Sequence, residues 1–205
     1  MSRPLLPLMI AAAALVLSGC SARNVAVSPS AVPASIQGLK ADNSQLPRRI
    51  YRRAGSPALS QYQRFHLASI KVRDPRVAPA LQAKVAQQLR QSLTHALTEH
   101  GFQLVGSNSA NALALDVVLS DIKTPSAAAN ITAILAPVVL SVGEVTMTVE
   151  FRDSNSQQLN GVVVERLQGS YGLNDSPWST EADVLNGLHN WANGFAQAVA
   201  DAAKA

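Results

Sequence analysis

From Glu144 to Arg152 apolar and polar residues alternate without a fault, with Val145, Met147, Val149 and Phe151 on one side and Glu144, Thr146, Thr148, Glu150 and Arg152 on the other. Only an extended strand has a period of two, and one apolar face opposite one polar face requires an antiparallel sheet with one wet face. The chain must then supply an apolar stripe to cover the other side. Val77, Leu81, Val85, Leu89, Leu93 and Leu97 supply it, recurring every four positions as on one face of a helix. Asp74-Pro75 reads as the N-cap and first residue of that helix, and Gly101 as its stop. A second helix opens at Ser176-Pro177 and carries Val184, Leu188, Trp191, Phe195 and Val199 at helical spacing, with Trp191 expected to anchor it in the core.

The remaining strands follow from the same alternation. Phe65, Leu67, Ile70 and Val72 form one whose period slips once, as a bulge near Ala68 would make it do. Phe102 and Leu104 start a short strand, Leu113, Leu115, Val117 and Leu119 make a half-buried one, and the turn over 153–161 returns the chain into Val162 to Leu167. The expected fold is therefore α/β of the α+β type. It is a two-layer sandwich with a mostly antiparallel sheet of about five strands and two long amphipathic helices over one face.

The N-terminus has a different grammar. One basic residue, Arg3, precedes the uncharged run Leu5 to Leu17, and Ser18-Gly19 follow as small residues. That order is a secretory signal, and about thirteen apolar residues fall short of the roughly twenty needed to span a bilayer. Leu17-Ser18-Gly19-Cys20 resembles the bacterial lipobox, which implies cleavage before Cys20, diacylglycerol on its thiol and an N-acyl chain on its new amino group. Two or three acyl chains make an effectively permanent anchor, where one gives only marginal binding. Cys20 is the single cysteine, so no intramolecular disulfide can brace the domain. The chain divides into a signal peptide over 1–19, a lipidated cysteine and flexible tether over 20–60, and one domain over 61–205. The tether expectation rests on its Ser, Ala, Pro, Asn and Gln content. Within it, Arg48, Arg49, Arg52 and Arg53 bracket Ile50 and Tyr51 and offer contacts to anionic headgroups or an acidic partner, or form a solvated charged linker.

No residue between Lys123 and Glu144 is charged, and that stretch holds Ile134, Leu135, Val138 and Val139. Pro125, Asn130, Pro137 and Ser141 interrupt it, which argues against a span. It is either a lid packed on the sheet edge or an exposed docking surface for a partner or an acyl chain.

Signals for catalysis are missing from the sequence. It contains no nucleophile elbow, Walker loop or dinucleotide-binding turn. His66, His95, His100 and His189 lack the i,i+4 spacing of a metal pair, so no catalytic residue and no metal ligand is assigned. Asp153 to Gln157 loosely resembles a calcium loop, but Gln158 and Val164 stand where glycine and glutamate are needed, and a hairpin turn fits better. Asp116, Asp121, Glu144, Glu150 and Glu165 are expected mostly on the solvent face of the sheet. Seventeen Lys and Arg against thirteen Asp and Glu, with 4% aromatics, give no nucleic-acid footprint.

The chain from about Tyr62 onward resembles an uncharacterised family of proteobacterial lipoproteins, a domain-of-unknown-function group. The resemblance lies in Leu97 to Phe102, Ala112 to Asp121, Gly143 to Ser154 and Trp191-Ala192. It brings no activity and no functional residues. The expected protein is a lipid-anchored, non-enzymatic envelope accessory module, without cofactor beyond the lipid on Cys20, with the membrane and an envelope protein as partners. The alternatives are a lipid-handling protein with an apolar pocket under 124–143, and an envelope hydrolase. Ser21 after the cysteine implies the outer membrane, facing the periplasm.

Overall fold

The structure is a computed structural model that describes residues 23–26, 33–42, 48–107, 109–123, 143–168 and 181–202. Its described strands are β1 (Arg23–Val25), β2 (Lys40–Asp42), β3 (Arg49–Arg52), β4 (Arg64–Arg73), β5 (Gln103–Leu104), β6 (Ala112–Lys123), β7 (Glu144–Asp153) and β8 (Leu159–Gln168). The helices are α1 (Pro79–Glu99) and α2 (Glu181–Ala202). All eight strands join one sheet in the order β2-β3-β8-β7-β6-β4-β5, with β1 also paired to β8.

The α+β architecture with two long helices is as expected, but the sheet is larger and mixed. Strand β4 runs parallel to both β5 and β6, while the other pairs are antiparallel. Parallel neighbours need a crossover, and α1 is that crossover. The three strands beyond the expected five come from residues 20–60, read from composition as a tether. They are only three or four residues long, too short to show a period. What places them is the otherwise open edge of β8, whose backbone groups pair with β1 at residues 166–168 and with β3 at 161–164. Close approach fixes the site: a Cβ on Gly161 would lie 2.9 Å from the Tyr51 carbonyl oxygen.

The bulge falls where the slipped alternation puts it, since Leu67 pairs with Leu115 and Ser69 with Asp116, leaving Ala68 over. One face of the sheet (Phe65, Leu113, Leu115, Val117, Leu119, Val145, Met147 and Val149) meets Leu89, Leu93 and Leu97 of α1 and Leu188, Trp191 and Phe195 of α2. On the opposite face Thr146 and Thr148 are buried rather than wet, and near β3 a smaller apolar cluster joins Tyr51, Leu159, Val162 and Val164 to Ile36 and Leu39.

Helix α1 begins four residues later than Asp74-Pro75 suggests. Asp74 is 3% exposed and caps no helix. Its carboxylate accepts from the Arg76 backbone N–H at 3.0 Å, from the Arg76 guanidinium and from the Ile122 N–H at 2.8 Å, latching the β4–α1 turn to the end of β6. The Arg76 side chain, followed by these backbone donors, outweighs burial and holds its pKa at about 2. At the other end, the Phe102 N–H reaches Leu97 O and the Gly101 N–H reaches Thr98 O, both at 3.0 Å. With Gly101 at φ +85° this is the left-handed helix stop expected of a glycine there. The start of α2 at Ser176-Pro177 lies outside the described residues.

Candidate functional site

Ile50 and Arg52 of β3 and Val163 and Glu165 of β8 line a groove together with Phe195, Ala198 and Val199 of α2 and the turn over Ser56 to Tyr62. The cavity measures about 260 Å³. Ile50, Val163, Phe195 and Val199 make it apolar, and Leu59 closes one side. The wall of aromatic rings is ordered by stacking: Trp191 lies on Phe195 at 5.3 Å, and Phe195 on Phe151 at 6.1 Å.

Two polar devices stand in this apolar frame. The carboxylate of Glu165, 3% exposed, accepts from the Trp191 indole N–H at 2.7 Å and forms an ion pair with Arg48. Both its oxygens are thus engaged, which is what a buried carboxylate needs. The Asn160 amide donates to the Tyr62 hydroxyl at 3.1 Å. Burial raises the Tyr62 pKa, with Asp153 adding to the rise and the Asn160 bond opposing it.

The expected contact residues separate in space. Arg48 is turned inward onto Glu165, and the Arg53 Nε donates to the Leu159 carbonyl at 2.7 Å, so both are committed within the fold. Arg49 and Arg52 belong to β3, with Arg52 exposed and lining the groove. Cys20, Ile134, Leu135, Val138 and Val139 lie outside the described residues.

Glu165 is the acidic residue that departs from the solvent-face expectation. It pairs with Met147 in the sheet and so shares the helix-covered face. The unbroken run Val162-Val163-Val164 hid its parity, yet a tryptophan on the apolar stripe of α2 needed an acceptor, and that need was a usable signal. Asp116, Glu144 and Glu150 are paired on the opposite face. Ser69 Oγ donates to Asp116 at 2.6 Å, Arg152 donates to Glu150 at 2.6 Å, and Glu144 receives Lys123 at 2.8 Å together with Arg166. Burial works to raise the Glu144 pKa, but those two cations prevail and lower it.

The histidines are spread over the fold in local contacts, such as His66 Nδ1 with Val105 O at 3.1 Å and His95 with Glu99 at 3.2 Å. Among the described residues no three His, Cys, Asp or Glu side chains converge as metal ligands. In the turn after β7, Asp153 accepts from the backbone N–H groups of Asn155 and Ser156, so the segment resembling a calcium loop is a hairpin turn. The Ser156 N–H is the main cause of its lowered pKa. Among the described residues no helix is long and apolar enough to cross a membrane.

A family described as "Protein of unknown function (DUF3313)" matches residues 28–195. The match begins well before Tyr62, so it takes in β2, β3 and the groove as far as Phe195 on α2. No curated protein matches the chain. Among solved structures, a PelC dodecamer from Paraburkholderia phytofirmans is 15% identical, with a TM-score of 0.44, over 71% of this chain and 96% of that one. A minor lipoprotein from Acinetobacter baumannii is 14% identical, with a TM-score of 0.38, over 68% and 92%. A putative neuraminyllactose-binding hemagglutinin homolog from Helicobacter pylori is 11% identical, with a TM-score of 0.38, over 69% and 87%.

Proposed function

The chain belongs to this family of proteins of unknown function, and from that premise we propose that it is a lipid-anchored envelope accessory protein that holds a partner protein in the α2–β3 groove. The anchor is the diacylglycerol and N-acyl lipid on Cys20, supported by Leu17-Ser18-Gly19-Cys20, and the location is the periplasmic side of the outer membrane. One observation carries the binding reading: the acid in the groove, Glu165, already has both oxygens occupied by Trp191 and Arg48. A carboxylate held that way gives shape and rigidity and is poorly placed to accept a proton from a substrate. The surrounding surface is the kind that takes an apolar side chain.

A volume of about 260 Å³ lies below the roughly 300–1,000 Å³ of sites that enclose small molecules, which supports a partner's side chain over a lipid as the occupant. Ala198 is exposed on α2 and lines the groove, so Ala198→Arg fills it from outside the core. In membranes crosslinked before solubilisation, the wild type should retain an envelope protein that the folded Ala198→Arg variant loses. Equal capture by both contradicts the groove as the binding site.

A further inference from the structure

Strand β1 begins at Arg23, three residues after Cys20, and is already paired with β8: Arg23 with Gln168, Asn24 with Leu167, Val25 with Arg166. At no more than 3.6 Å per residue the intervening chain spans roughly 10 Å. We propose that the domain rests directly on the bilayer, with one end of the sheet facing the lipid headgroups, and does not hang from a leash. The inference rests on lipidation of Cys20 and goes beyond it, because lipidation alone leaves the domain free to lie anywhere along a tether.

The end that faces the membrane is fixed by register. Arg23, Glu144 and Gln168 stand in one row across β1, β7 and β8, and Lys123 joins it from β6. The charged groups there favour an anionic surface. Asp74 is satisfied by Arg76, and Glu144 by Lys123 and Arg166. Exposed Arg73 on β4 stands against exposed Asp121, so the formal excess at this end is positive: Arg23 in the row itself, and the second of the two cations on Glu144. With the Cys20 anchor only roughly 10 Å away, charges at this end come within about one Debye length of the headgroups. The chain between Lys123, at the end of β6, and Glu144, at the start of β7, carries no charge of its own, so its sequence adds no electrostatic opposition. The opposite end, at the hairpin turn after Asp153, lies about ten residues up β7, on the order of 30 Å away.

Spin labels test the orientation. Lipidation blocks the Cys20 thiol, so a single introduced cysteine labels selectively. Pro75→Cys reports the proposed membrane end and Asn155→Cys the hairpin tip, both at exposed positions. The lipidated full chain is placed in phosphatidylethanolamine and phosphatidylglycerol vesicles containing a nickel-chelating lipid, and its lipid mass is checked in the same sample. The expected result is a several-fold greater paramagnetic relaxation at residue 75 than at residue 155. Equal relaxation at the two sites in lipidated protein overturns the orientation while leaving the anchor intact. Protein without a lipid mass overturns the anchor and the orientation together.

Discussion

The middle of the sheet and its β3 rim use the same face of the same β-structure to opposite ends. Under α1 the strands present Phe65, Leu115 and Leu119 to Leu89, Leu93 and Leu97, all completely buried. Three strands across, beyond β8, the face carries a groove with a buried glutamate, an inward arginine and an indole donor. A core built only for stability would have closed that gap with an apolar side chain. Close packing in the middle supplies the rigidity that lets the rim stay open.

The contrast can be broken most strongly at the centre. Leu93→Ala deletes a fully buried side chain between α1 and the sheet and should cost about 3 kcal/mol in chemical denaturation, with little effect on the groove until the fold fails. A loss below about 1 kcal/mol would mean the middle is not tightly packed. At the rim, Trp191→Phe keeps an aromatic ring but removes the donor to buried Glu165, and should cost about 2 kcal/mol. Combining Trp191→Phe with Glu165→Leu and Arg48→Met should recover part of that loss, because neither an unpaired carboxylate oxygen nor an unpaired guanidinium is left behind.

Asp74 sharpens the comparison through pH. Its folded pKa of about 2 lies below the ordinary 3.8, so its contribution is fully present above pH 4 and is lost as pH falls toward 2. Asp74→Asn should therefore cost about 1.5 kcal/mol at neutral pH. The gap to wild type should narrow in unfolding curves taken between pH 4 and pH 2; a constant gap would show that the latch is not ionic. The smallest stability effect is expected at Ala198→Arg, within about 0.5 kcal/mol of wild type, although it should abolish partner capture.

These regions also differ in how far the sequence reveals them. The central layer was legible because β6, β7 and α1 are long enough for their periods to show, and even the bulge at Ala68 left a visible slip between Leu67 and Ile70. The rim was not. Strands β1 to β3 contain too few residues for any pattern, and their place depends on the distant edge of β8 and on Gly161 admitting the β3 backbone. Asp-Pro commonly starts helices and so points to Asp74 as a cap, whereas contacts with Arg76 and Ile122 claim its carboxylate. Arg48 and Glu165 are 117 positions apart, and nothing local announces that they meet.

The anchor at Cys20 is the premise on which the envelope role and the orientation of the domain both depend. Intact mass spectrometry of protein extracted from membranes, wild type beside Cys20→Ala, tests it directly. The account predicts a chain starting at Cys20 with the added mass of two or three acyl chains, and loss of that species in the variant. An unprocessed or unmodified wild-type chain would contradict it.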